Sequence, residues 1–228
     1  MLRYFPPVRT SYAAADAVQQ RLSRALLDAK KGGPPAQMAL LAYEMEPTYT
    51  LGRRQKHGAA AVQAAVGPHR DYSVVETLRG GHTTFHGPGQ LVLYPILDLQ
   101  RLGVKVRDYV CILEKSIIAV LGNNYGIAAE QRPQTGLNGV FLADRAQRKI
   151  ASVGVHVRRN VTSHGLALNV DLDPFWFRQI VACNLPDAEM VSMARFTPQP
   201  HLPTVSDQLV AELAARLGVP LERSSQPA

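Results

Sequence analysis

The chain is poor in cysteine, in long apolar runs and in blocks of like charge, and each shortage removes a class of protein. Two cysteines in 228 residues cannot staple a small secreted fold. The N-terminal residues also lack the apolar core of a secretory signal, so a reducing compartment is expected. The longest apolar runs, such as Met38 to Tyr43 and Ile117 to Leu121, fall far short of the roughly 20 residues a bilayer span requires, which excludes an integral membrane protein. Tight basic groups are confined to Arg53-Arg54-Gln55-Lys56 and Arg158-Arg159. Nucleic-acid binders instead concentrate charge along a face with aromatics between, so neither a nucleic acid nor a membrane is expected as partner.

What is present is a composition that folds. The chain is 46% hydrophobic and 19% charged, the balance of one ordinary domain rather than of a disordered chain. Its formal charge of +7 gives a long-range attraction to something acidic. The first fifteen residues hold Arg3 and Arg9 but no acid, a bias shared with mitochondrial proteins and also compatible with a first strand.

Hydrophobic spacing predicts a surface helix over 12–30, stopped by Gly32-Gly33-Pro34-Pro35, and a second helix over 106–121 with Val106, Val110, Leu113, Ile117 and Leu121 in one stripe. Strands are expected at 38–45, 72–77, 91–97, 139–142, 150–157 and 166–170. A short helix near 175–180, a Pro-rich link at Pro198, Pro200 and Pro203, and a terminal helix over 205–217 follow. No repeat or composition break divides the chain, so the expected fold is a single α+β domain, residues 1–221, with 222–228 as a frayed tail.

Three constellations could carry chemistry. The segment Arg79-Gly80-Gly81-His82-Thr83-Thr84-Phe85-His86-Gly87-Pro88-Gly89-Gln90 cannot be a helix. It lacks the Gly-Lys-Ser/Thr ending of a Walker loop and opens no dinucleotide-binding helix. Glycines here let backbone N–H groups approach an anion, a thioester carbonyl or an extended acyl chain. Next, Ser152, Gly154 and His156 alternate with Ala151, Val153, Val155 and Val157, and Gly165, Ala167 and Asn169 alternate with Leu166, Leu168 and Val170, so two strands each present a face trimmed of bulk. Such faces line a slot or pack tightly on another backbone, and alternation does not choose.

The third is Cys183 with Lys149. An ammonium beside a thiol favours the thiolate, and a buried lysine can exchange protons as base and then acid. A lone cysteine is otherwise a small buried hydrophobe, the reading given to Cys111 inside the 106–121 helix. The spacing of His156, His164 and Asp171 fits no zinc pattern, and no metal site is expected. Strict alternation would put Lys149 on the Ala151 and Val153 face, away from Ser152, unless the strand starts later or a bulge intervenes.

Taken in order, Arg79 to Gln90, Lys149-Ile-Ala-Ser-Val-Gly154, Thr162-Ser-His-Gly-Leu-Ala-Leu-Asn169 and a downstream cysteine resemble the lipoyl(octanoyl) transferase family, over about residues 3 to 195. The resemblance implies the biotin/lipoate protein ligase catalytic fold, a mixed sheet flanked by helices. It implies an acyltransferase, without cofactor, that moves an octanoyl group from octanoyl-acyl carrier protein to a specific lysine of lipoyl domains, those of the 2-oxoacid dehydrogenase complexes and the glycine cleavage H protein. Both partners are acidic, which gives the positive charge a reading. Cys183 would form the thioester and Lys149 would activate it. Arg79, Gly80, Gly81, His82, Thr83, Thr84, Phe85 and His86 would shape the pocket, with Ser152, Val153, Gly154, Gly165, Leu166 and Ala167 lining it. Around the nucleophile the family pattern is Pro-Cys-Gly, whereas this chain reads Ala182-Cys183-Asn184. The compartment implied is the mitochondrion, with a bacterial-type cytoplasm as alternative; because the resemblance begins almost at Met1, no cleavable presequence is expected. The alternatives are an ATP-dependent lipoate or biotin ligase, which needs no catalytic cysteine, and a non-catalytic acyl or lipoyl-domain binding protein.

Overall fold

Period-2 and period-3.6 segments alternate along this chain, and in three dimensions they form one large sheet with helices packed on it. The computed structural model describes residues 1–55, 58–67, 71–132, 138–144 and 146–224; Lys56 of the basic cluster and 225–228 of the expected tail lie outside them. The elements in chain order are β1 (Leu2–Thr10), α1 (Tyr12–Ala29), β2 (Met38–Met45), β3 (Thr48–Leu51), α2 (Ala59–Val66), β4 (Ser73–Glu76), β5 (Thr84–His86), β6 (Gln90–Ile96), α3 (Val106–Tyr125), β7 (Ala129–Gln131), β8 (Gly139–Leu142), β9 (Arg148–Arg158), β10 (Val161–Asn169), α4 (Phe175–Arg178), β11 (Glu189–Met190), α5 (Leu202–Leu217) and β12 (Leu221–Arg223). Short 3-10 turns lie at Arg53–Gln55, Ala182–Asn184 and Met193–Arg195.

The large sheet runs β12-β1-β2-β6-β10-β9-β8-β7, with β11 added alongside β9. β1 pairs in parallel with β2 and β12, and from β2 through β6, β10, β9 and β8 to β7 every pair is antiparallel. The expected mixed sheet flanked by helices is therefore present. Its central strands, β2 and β6, are buried almost throughout, as befits strands covered on both faces. α1, α3 and α5 place Leu26, Leu113, Ile117, Leu209 and Leu213 in the same core.

Local chemistry sets the helix ends. The Ser11 side chain accepts from the Ala14 amide at 3.3 Å and starts α1. Gly126 and Gly218, at φ 65°, stop α3 and α5 in the left-handed conformation that glycine takes without penalty. Pro203 belongs to the first turn of α5 rather than to the preceding link, because proline lacks only an N–H that this position leaves unbonded. Glu222 and Arg223, expected in a frayed tail, instead pair with Arg3 and Tyr4 in the β1–β12 ladder.

A smaller sheet, β4-β3-β5, has its own core. Tyr49, Val62, Val66, Phe85, Trp176, Phe177, Ala182 and Met190 cluster there, with the Phe85 and Trp176 rings stacked at 4.7 Å. This second core carries the Gly-rich segment on one side and the Cys183 turn on the other, and so faces them toward β9 and β10.

Candidate active site

The site is assembled from three backbones that glycine brings together. Gly80 donates its amide to the Val155 carbonyl at 3.1 Å, which seats the Gly-rich loop on β9. A Cβ at Gly154 would lie 3.2 Å from the Gly80 carbonyl oxygen and 3.3 Å from Arg79 Cδ, so the loop settles this low only over a residue without a side chain. Gly165 is small for a different reason: a Cβ there would collide with the Leu93 carbonyl and come within 2.6 Å of Pro95 Cδ. Of the two roles left open for the trimmed faces, Gly154 therefore serves the loop and Gly165 the close packing of β6.

Beneath the loop lies a cavity of about 510 Å³, in the range of small-molecule sites. All the expected pocket residues line it except Thr83 and Phe85. The reason is strand parity: Thr84 and His86 on β5 face the cavity, which turns Phe85 the other way, into the second core. Thr83 is structural, its amide and hydroxyl both bonded to Gln55 Oε1 at 2.9 Å. The loop is further tied down by Arg79, which is buried and donates to the Thr50 carbonyl and hydroxyl and to the Gly80 carbonyl.

Cys183 and Lys149 meet at this cavity. Lys149 arrives through a β-bulge. The β8–β9 register runs Gly139–Ser152, Val140–Ala151, then Phe141–Lys149, so Ile150 is the extra residue and Lys149 emerges on the Ser152 face instead of the Ala151 face. Its Nζ donates to the Asn138 carbonyl at 3.1 Å and lies 5.5 Å from the centre of the Phe141 ring. The Cys183 sulfur lies 3.7 Å from Ser152 Oγ. Burial alone would raise the thiol, but the Lys149 charge, the Ser152 hydroxyl and the Arg79 guanidinium outweigh it and draw it below its ordinary value.

Several residues not foreseen as site residues complete the walls. Tyr94, Val155, His164 and Asn138 line the same cavity, and Arg53 and Arg54 stand among its lining residues. His164, which alternation assigns to the opposite face, has φ 56°; this left-handed turn inside β10 breaks the alternation and brings the ring to the cavity, edge-on to Tyr94. Burial, reinforced by Arg79, lowers His164 to about 3 and His86 to about 4, so both are neutral at pH 7. His156 instead bonds Ser163 Oγ at 3.3 Å in the neighbouring groove. Among the described residues no group of three or more His, Cys, Asp or Glu side chains is arranged to hold a metal ion. Glu114, buried on α3 beside Gly139, also went unforeseen; an acid spaced four from Val110 and three from Ile117, inside the apolar stripe, is the signal that marks it.

The chain matches the lipoyl protein ligase A/B catalytic domain over residues 12–214. It is 42% identical over 177 residues to a probable octanoyltransferase of Schizosaccharomyces pombe, covering 77% of this chain and 76% of the relative. It is 41% identical over 188 residues to the mitochondrial octanoyl-[acyl-carrier-protein]:protein N-octanoyltransferase LIPT2 of Danio rerio, covering 82% and 79%. Among solved structures, one from the structural analysis of an archaeal lipoylation system, a bipartite lipoate protein ligase and its E2 lipoyl domain from Thermoplasma acidophilum, superposes with a TM-score of 0.66 at 12% identity over 99% of this chain and 86% of that one.

Proposed function

The chain belongs to the lipoyl protein ligase A/B catalytic-domain family, among its octanoyltransferases, and from that premise we propose that the expected domain, carried on from residue 221 to the end of β12 at Arg223, is one catalytic domain that transfers an octanoyl group through a thioester on Cys183. The single observation that carries this reading is the placement of Lys149 by the bulge at Ile150, beside a thiol whose proton its charge helps to release.

In the first half-reaction the Cys183 thiolate attacks the carbonyl carbon of the octanoyl thioester on an acyl carrier protein. The new C–S bond forms, the bond to the carrier's thiol breaks, and that thiol leaves with a proton from Lys149. In the second, the neutral amine of a lysine on a lipoyl domain attacks the acyl-enzyme. The C–N bond forms, the bond to Cys183 breaks, Lys149 takes the amine's proton and the thiolate is restored. A thioester and an amine have become a thiol and an amide, with no external reductant or energy source.

The walls suit this substrate. Lys149, Arg79, Arg53 and Arg54 are the residues with cationic side chains along the cavity, and the two buried histidines add neutral dipoles, whereas Val153, Val155, Leu166 and Ala167 offer an apolar side to the alkyl chain. The positive charge of +7 favours two acidic partners docking in turn. The acceptors are the lipoyl domains of 2-oxoacid dehydrogenase complexes and of the glycine cleavage H protein, and the compartment is the mitochondrion, as for the similar zebrafish enzyme.

Intact-protein mass spectrometry after mixing with octanoyl-acyl carrier protein tests the proposal. One octanoyl adduct is expected, removed by hydroxylamine and abolished by Cys183→Ser, with Lys149→Ala forming it slowly. ATP-dependent modification of a lipoyl domain by free octanoate that survives Cys183→Ser would assign the chain to the ligases instead. Partner binding with no adduct and no turnover would make it a non-catalytic binder.

A further inference from the structure

Glu114 is a buried charge that the acyl-transfer scheme leaves unused. It is 8% exposed, and a carboxylate held out of water is costly unless its oxygens are paired. Both are: Oε1 accepts the Gly139 amide at 2.6 Å and Oε2 accepts Gln131 Nε2 at 2.7 Å. Burial pushes the Glu114 carboxyl up, opposed by those two hydrogen bonds and by the Lys149 charge.

The partner that Glu114 holds is the surface on which Lys149 rests. Gly139 has φ 132°, and a Cβ there would lie 2.6 Å from Lys149 Cε and 3.1 Å from its Nζ. The preceding residue, Asn138, supplies the carbonyl that accepts Nζ. Phe141, two residues on, supplies the ring beside Nζ. Three supports of the lysine, at Asn138, Gly139 and Phe141, thus hang from one strand end, and that end is fastened to α3 by the Glu114 carboxylate. Holding the base by a third group is the usual requirement of an activated nucleophile.

We propose that Glu114 is a positioning residue for Lys149: by gripping the Gly139 amide it fixes the backbone under the lysine and keeps the ammonium against the Cys183 sulfur. The proposal rests on the reading of Cys183 as nucleophile, and its test uses no acyl donor, so the two can fail separately.

The test is the pH dependence of Cys183 alkylation by iodoacetamide in the full chain, with peptide mass spectrometry separating Cys183 from Cys111. The groups facing the thiol are Lys149, Arg79 and Ser152, and the cavity histidines His82, His86 and His164 stay unchanged in every variant. Around the carboxylate stand Gln131, with Cys111 beyond it, the Gly139 amide and Lys149, while Arg132 lies against the Phe141 ring. Glu114→Ala is expected to move the alkylation midpoint up toward that of Lys149→Met, roughly tenfold slower alkylation below the midpoint for a shift of one pH unit. Glu114→Gln, which can still accept from Gly139 and meet Gln131 with its amide, should stay within about threefold of the parent protein. In a Lys149→Met background Glu114→Ala should change nothing further. A folded Glu114→Ala variant with the parent profile would overturn the proposal. So would a shift that persists without Lys149, or a Gln variant that behaves like Ala. Should Glu114→Ala not fold, Gln131→Met removes one of the two bonds and should give a smaller upward shift; no shift there would also overturn the proposal.

Discussion

The backbone amide of Cys183 donates to the Thr83 carbonyl at 2.8 Å, which makes the Cys183 turn and the Gly-rich loop one mechanical unit. The turn is unusual: Cys183 and Asn184 have φ 56° and 59°. In the left-handed region asparagine is the best-tolerated side chain after glycine, so Asn184 in place of the family's glycine keeps the same backbone available.

That equivalence is testable. Asn184→Gly should leave the rate of adduct formation within a factor of about two, whereas Asn184→Val should cost roughly 1 to 2 kcal/mol of stability from the left-handed strain and slow the adduct at constant donor concentration. Urea denaturation together with time-resolved mass spectrometry reads both.

Two glycines on facing strands should fail in different currencies. Gly165→Ala drives a methyl into the Leu93 carbonyl, backbone that cannot yield, and about 1 to 3 kcal/mol of stability should be lost. Gly154→Ala meets the Gly80 carbonyl at 3.2 Å and Arg79 Cδ at 3.3 Å, a loop and a side chain able to give a few tenths of an ångström. Its melting temperature should hardly move, while KM for the carrier-bound octanoyl thioester rises. Calorimetry and steady-state kinetics on the pair would show a common loss of stability if this assignment of their roles were wrong.

Stability should fall on the acid side of neutrality because of two histidines. His86 and His164 are neutral in the fold, lowered from 6.5 to about 4 and about 3, so below pH 6.5 the unfolded chain binds protons that the folded chain refuses. Each histidine then removes about 1.4 kcal/mol per pH unit until its folded value is reached. Above pH 7.5 this contribution is constant. His164→Asn, chosen because asparagine tolerates the left-handed backbone, should flatten the decline between pH 6 and 5 by one such slope, measured by denaturant melts at each pH. An unchanged slope would mean that His164 is protonated in the folded protein.

Phe85 should matter to catalysis without touching substrate. Its ring stacks on Trp176 in the core that also holds Ala182, next to Cys183. Phe85→Leu is expected to cost about 1 to 3 kcal/mol and to slow thioester formation as the Cys183 turn loosens, with the size of the cavity unaltered. Denaturation and adduct kinetics on the same sample test the coupling.

Much of this was legible in the chain. The three motifs converge on one cavity, and α1, α3, α5, β2 and β6 appear where periodicity placed them, because each is long enough for a pattern to repeat, whereas the helix α2 was not expected and β1 was only compatible with the N-terminal residues. What stayed hidden is shorter or non-local. β3, β5, β7, β11 and β12 span two to four residues each, too few for a period to show. The facing of Phe85 depends on where β5 begins. His164 leaves its alternation through a backbone torsion that no side-chain pattern encodes, and Glu114 acquires its meaning only when α3 packs against β8.

The bulge at Ile150 makes the chemistry a matter of arithmetic. Substituting Ile150 by valine leaves the count of residues intact and alters only the packing of a buried side chain. Ironing the bulge out while keeping Ile150 would turn the Lys149 amine toward the hydrocarbon side of the sheet, away from the Cys183 thiol, whereas deleting Ile150 would straighten the β8–β9 ladder and keep Lys149 opposite Phe141 on the Ser152 face. The facing of the lysine is therefore set by the backbone geometry at this point of the chain as much as by the identity of the side chains around it.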